Sequence, residues 1–156
     1  MEKLAGNVIS EVLPDRPRRD VYLCSSESIE SLLGQITTTS RHFGLLLALD
    51  ARSIEADQIG QIAETLLVKD LAYLCAWGPD CERVHDIFDE VALSGNLEQN
   101  ESVVLTTWHT DEPLEETLWF FVNSAFPDDE YEGTCNEWII ALIGHPEWEH
   151  IVRDEF

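Results

Sequence analysis

Leu45-Leu46-Leu47-Ala48-Leu49-Asp50 and Leu71-Ala72-Tyr73-Leu74-Cys75-Ala76-Trp77-Gly78-Pro79 are the two stretches whose reading decides the fold. Both are nearly continuous apolar runs rather than alternating ones, the pattern of a strand covered on both faces, and such strands belong to parallel sheets. Between them Ile54, Ile59, Ile62, Ala63 and Leu66 recur at helical spacing. A strand, a helix and a second strand in that order predict a parallel pair, because the helix carries the chain back to the starting edge. Asp50 closes the first run. After the second, Gly78 permits a sharp turn and Pro79 suits the first position of a helix.

The same alternation extends in both directions. Upstream, Val21 to Cys24 reads as a strand, and Ile29, Leu32, Leu33 and Ile36 as a helix with Ser26 or Ser28 as its N-cap. Downstream, Val84, Ile87, Phe88 and Val91 form a helical stripe stopped by Gly95 and Asn96, and Ser102 to Trp108 reads as the fourth strand. Pro113 opens a helix with Leu114, Leu118, Phe121 and Val122 on its apolar face, ending before Pro127. An acidic loop, Asp128 to Asn136, leads to a fifth strand at Trp138 to Ile143, and Trp148, Ile151 and Val152 mark a short last helix. Five such units predict an α/β three-layer sandwich with a mostly parallel sheet of about five strands, flavodoxin-like or Rossmann-like, with right-handed crossovers. Residues 1–19 hold a short amphipathic piece from Leu4 to Leu13, then Pro14, Arg16, Pro17, Arg18 and Arg19, and read as an N-terminal arm or linker. Residues 20–156 are the length of a single domain.

Charge narrows the functional classes. The chain carries 31 Asp and Glu against 9 Lys and Arg, a formal charge of -22, and no Lys or Arg lies between Arg83 and Arg153. Over half of the carboxylates fall in that interval. Such a field repels nucleic acid and anionic membrane surfaces, and the one basic cluster, Arg16, Arg18 and Arg19, is too small to reverse it. It attracts a basic protein. The four cysteines, Cys24, Cys75, Cys81 and Cys135, lack the close pairing of zinc or redox motifs. With neither a signal peptide nor a membrane span in the sequence, the expectation is a cytoplasmic protein with reduced thiols.

Two strings are distinctive: Cys75-Ala76-Trp77-Gly78-Pro79-Asp80-Cys81-Glu82-Arg83-Val84-His85-Asp86, and Thr106-Thr107-Trp108-His109-Thr110-Asp111-Glu112 continuing to Glu115-Glu116-Thr117-Leu118-Trp119-Phe120-Phe121. On these, the segment from Gly44 to Gly144 resembles a bacterial family of uncharacterised small α/β proteins. The resemblance implies an α/β fold and carries no activity, cofactor or catalytic residue with it.

Two functional readings remain. In the first, the acidic half is an interaction surface for a basic protein, of the immunity, defence-accessory or adaptor type. Its contact residues would be Asp111, Glu112, Glu115, Glu116, Asp128, Asp129 and Glu130. Trp119 or Phe120 would be the apolar anchor, since Leu118-Trp119-Phe120-Phe121 puts apolar groups on more than one helix face. In the second, polar residues at the carboxyl ends of the strands form the site of a small hydrolase or metal-dependent enzyme. Its candidates are Asp50, Asp80, Cys81, His85, His109 and Asp111. Cys81 at a helix start suits a nucleophile assisted by His109 or His85, although Asp80 and Glu82 beside it disfavour the thiolate. Asp50, Asp80, His85, His109 and Asp111 are suitable metal donors without the spacing of a ligand signature, so no metal is assigned. No G-x-G-x-x-G or phosphate-cradling loop occurs, so no cofactor is expected. A phospho-acceptor receiver is excluded on chemistry, since Cys24-Ser25-Ser26 and Gly144-His145-Pro146 stand where acids and a lysine would be needed.

Overall fold

The computed structural model describes residues 1–4, 19–95 and 103–156. Its sheet has six strands: β1 (Glu2–Lys3), β2 (Asp20–Ser26), β3 (His42–Ala48), β4 (Leu71–Trp77), β5 (Leu105–His109) and β6 (Cys135–Ile143). Five helices connect or follow them: α1 (Ile29–Gln35), α2 (Ala56–Val68), α3 (Cys81–Gly95), α4 (Leu114–Asn123) and α5 (Pro146–Glu155). The strand order is β1-β2-β6-β3-β4-β5, with every pairing parallel except β1 against β2. This is the expected α/β sandwich, with a sixth, antiparallel strand at one edge. Its order differs from both doubly wound orders, 2-1-3-4-5 and 3-2-1-4-5-6, because the last strand inserts between the first two parallel ones.

Side-chain alternation along the strands divides the interior into two layers. Leu45, Leu47, Leu74, Ala76, Ile139 and Ala141 pack beneath α1, α2 and α3. Leu46, Ala48, Tyr73, Cys75, Trp138, Ile140 and Leu142 pack beneath α4 and α5. The arrangement follows from chain direction: β2, β3, β4 and β5 are visited in one lateral direction, and the return from β5 to β6 runs the other way, so right-handed crossovers place α4 on the opposite face. Gly44, paired with Trp138, leaves the room that indole occupies; a Cβ there would lie 2.4 Å from its ring.

Both described ends of residues 1–19 pack against the sheet and its helices. Glu2 and Lys3 pair with Leu23 and Tyr22, and Leu4 is buried beneath α4 and α5. Arg19 donates to the carbonyls of Phe121 and Val122, each at 3.1 Å, and to that of Ala125, while its guanidinium lies 3.8 Å from the Trp138 ring centre. Arg19 is therefore a cap for the end of α4 rather than part of a basic arm. The rest of the arm, including Arg16 and Arg18, lies outside the described residues, as do Asn96 and the start of the expected fourth strand at Ser102. Among the described residues no helix is long and apolar enough to cross a membrane.

Candidate functional site

All five parallel strands present their carboxyl ends along one rim, where open α/β sheets bind ligands. The rim begins at β2 with Ser25 and Ser26, continues at β6 with Gly144 and His145, and at β3 with Asp50. It ends at β4 and β5 with Trp77 and His109. The chain leaves β6 toward one face and its neighbours β2 and β3 toward the other, so the topological switch lies at β6. Gly144, at φ 75, donates to the Ser26 carbonyl across it at 2.9 Å.

From there a line of rings crosses the rim. His145 stacks on Trp148 with centroids 3.9 Å apart, and Trp148 meets Trp77 edge-on at 5.1 Å. The Trp77 indole donates to the Glu112 carbonyl at 2.8 Å, and His109 packs against Phe120 at 4.6 Å. His109 links two polar side chains on the rim. Its Nδ1 lies 2.8 Å from Glu112 Oε2 and its Nε2 lies 3.3 Å from Thr107 Oγ1. Thr107 in turn lies 3.2 Å from the Tyr73 hydroxyl. Burial pushes the Tyr73 phenol up to about 12 and also raises the thiol of Cys75 on the same face of the strand, so both stay protonated at neutral pH.

The six residues offered as a catalytic or metal cluster lie along this rim, most of them engaged by neighbours outside the six. Asp50 is held by Arg52 at 2.7 Å, and that hydrogen-bonded guanidinium lowers its carboxyl to about 2. Asp80, in the left-handed region at φ 66, binds Arg83 at 2.7 Å. Arg83 also donates to the Ala51 and Ile54 carbonyls, so it ties the loop after β3 to the start of α3. His85 sits between Asp86 at 2.9 Å and Asp89 at 3.3 Å, with Trp108 against its ring at 4.3 Å. Cys81 is buried, its sulfur 3.7 Å from the Thr110 hydroxyl. Asp111 adopts φ 57 in the turn between β5 and α4. Among the described residues no three His, Cys, Asp or Glu side chains converge as metal ligands. Sequence reasoning had His109 among the strand-end candidates but did not join it to Glu112 and Thr107, nor Thr107 to Tyr73. The signal available was the two-residue spacing of Thr107 and His109, which puts both on one face of a strand.

A family model described as a domain of unknown function, DUF7684, matches residues 21–156. The chain belongs to the DUF7684 family. The match is wider than the 44–144 segment on which the resemblance rested, and it takes in every parallel strand except the first residue of β2. No curated protein and no solved structure matches the chain.

In this DUF7684 domain the residues offered for partner contact do not form one patch. Asp111, Glu112, Glu115 and Glu116 cluster at the start of α4, on the rim just described. Asp128, Asp129 and Glu130 lie beyond the far end of α4, in a single 3-10 turn capped by the Asp128 carboxylate on the Glu130 N–H at 3.1 Å. Of the two anchors, Trp119 is exposed and Phe120 is half-buried against His109. The acidic half is also less bare than its lack of Lys and Arg suggests. His85, His109 and His145 each meet a carboxylate, Arg153 binds Glu149 at 2.7 Å, and buried Glu137 accepts from the Thr39 backbone N–H and hydroxyl.

Proposed function

We propose that this DUF7684 domain is a bacterial, cytoplasmic interaction module that uses its acidic half to bind a basic protein partner, in the manner of an immunity, defence-accessory or adaptor protein. The observation that carries this reading is the pairing of charge with exposed aromatic surface. α3, β5 and α4 contain no Lys or Arg after Arg83, yet Trp108 is 43% and Trp119 56% exposed on them. A negative field accelerates encounter with a cation-rich surface, and an exposed indole supplies contact area that charge alone lacks. Affinity capture from the native host at low and high salt, followed by mass spectrometry, tests the reading. It predicts a basic partner released by salt; a partner that is acidic, or that binds equally well in high salt, overturns it.

One observation favours the hydrolase alternative. Glu112, His109 and Thr107 form a carboxylate, imidazole and hydroxyl chain, the donor order that activates a hydroxyl nucleophile. In that reading His109→Ala and Thr107→Val each abolish turnover of an activated-ester panel while leaving partner capture intact. Absence of any turnover by the wild type removes it.

A further inference from the structure

The two edges of the sheet are finished differently. At the β1 edge the outermost strand is two residues long and ends in Lys3, whose ammonium pairs with Asp20 at 2.9 Å. A very short strand bearing a lysine is a standard way to prevent a sheet from adding further strands. At the other edge β5 runs for five residues, and among the described residues nothing pairs with its outer side. Val103 to His109 contains no Lys, Arg or Pro, and no register shift interrupts its pairing with β4.

Exposed apolar side chains collect at this same edge. Of the eight large hydrophobic residues exposed among the described ones, Val103, Leu105 and Trp108 belong to β5 or its approach. Leu93 stands one turn beyond Asp89 on the α3 row that runs beside it. Carboxylates surround these side chains. Asp86 and Asp89 bracket His85, against which Trp108 packs, and Asp89 accepts from the Thr106 hydroxyl. Glu112 holds His109 on the other side of the strand.

We infer that the outer edge of β5 is the docking strand of this domain, and that it takes up an extended, lysine- or arginine-rich segment of a partner protein by β-strand addition. The inference rests on the acidic-module reading and names its site. Main-chain hydrogen bonds to β5 supply the affinity, and Leu105 and Trp108 contact alternate side chains of the incoming strand. Asp86, Asp89 and Glu112 pair with its cations. Charge decides between this occupant and a second copy of the chain, because edge-to-edge self-pairing brings together two bodies of charge -22 with carboxylates around the seam.

The probe is a ten-residue peptide of alternating Lys and Val, with both termini blocked. Three further peptides serve as controls: alternating Glu and Val, the Lys and Val sequence N-methylated at every second residue, and a scrambled Lys, Gly and Ser peptide of equal charge. Binding to the full chain is followed by amide NMR and hydrogen exchange. The Lys and Val peptide should shift Leu105–His109 resonances and slow exchange of the outward β5 amides. N-methylation should weaken it at least tenfold, and the Glu and Val peptide should not bind. Leu105→Lys and Trp108→Lys, both at exposed positions, should each weaken it at least tenfold with the fold's spectrum unchanged. Binding centred on Trp119 and the start of α4 without β5 protection overturns the edge while leaving the acidic module standing. Equal binding by the scrambled peptide also overturns the edge, and no binding by any cationic peptide overturns both. Concentration-dependent dimerisation of the free protein through β5 assigns the edge to a second copy and overturns the inference.

Discussion

Single residues on the rim hold backbone and charge in states their sequence context only partly predicts. Gly78 was readable as a turn glycine, and the reason is now specific. Its φ is +114, and a Cβ would lie 2.4 Å from the Leu49 carbonyl oxygen. Gly60, in the middle of α2, has nothing within 4 Å of a Cβ. Gly78→Ala should therefore destabilise the fold by about 2–4 kcal/mol, whereas Gly60→Ala should stabilise it by about 0.5–1 kcal/mol, both read from urea denaturation midpoints. Asp50 provides a pH test. Its folded pKa is lowered from 3.8 to about 2 by hydrogen bonding from Arg52, so the pair's contribution is present above the ordinary value and is lost as pH falls toward about 2. Carboxyl-carbon NMR should show Asp50 titrating near the lower value, and Arg52→Ala should return its midpoint toward the upper one. The sequence placed Asp50 at a strand end but could not reveal that its neighbour two residues on would fold back onto it.

At the scale of elements, legibility followed how local the determining interactions are. The bounds of β4 were readable because an apolar run ends abruptly at Gly78-Pro79, and α2 because its buried positions keep helical spacing. The position of β6 between β2 and β3 was not readable, since strand pairing is decided by contacts more than ninety residues apart in sequence and leaves no periodic trace. β1 was missed for a different reason: two residues are too few to show any period. Arg19 joins both lessons. Read locally, it belonged to a Pro and Arg-rich arm; in the fold it caps the last turn of α4 through three carbonyls and lies over Trp138. Charge-assisted bonds to a helix carboxyl end and a desolvated cation-π contact each contribute on the order of 1–3 kcal/mol. Arg19→Ala should lower stability by about 2–4 kcal/mol, and Arg19→Lys should recover less than half of that, because an ammonium cannot span three carbonyls in one plane. Hydrogen exchange localised to Phe120–Ala125 distinguishes loss of this cap from general weakening.

For the molecule as a whole, charge is the property that sequence conveyed most directly and structure most refined. The fold places α3, which carries no Lys or Arg after Arg83, and the Lys and Arg-free α4 on opposite faces of the sheet beside β5, so the negative field is concentrated near an edge that is unpaired among the described residues. Arginine pairs offset some carboxylates individually, but a body of charge -22 still repels itself in the folded state more than in the expanded chain. Screening should relieve that repulsion. Raising NaCl from 10 to 300 mM shortens the Debye length from about 30 Å to under 8 Å, and the melting temperature should rise by about 3–10 °C, where each kcal/mol corresponds to roughly 2–4 °C for a chain of this size. Because Glu115, Glu116 and Glu132 are exposed, changing all three to Gln should raise the low-salt melting temperature and shrink the salt response together. A melting temperature that falls with salt would mean that the ion pairs of Arg52, Arg83 and Arg153 outweigh the repulsion, and would remove the premise that uncompensated negative charge is available for a partner.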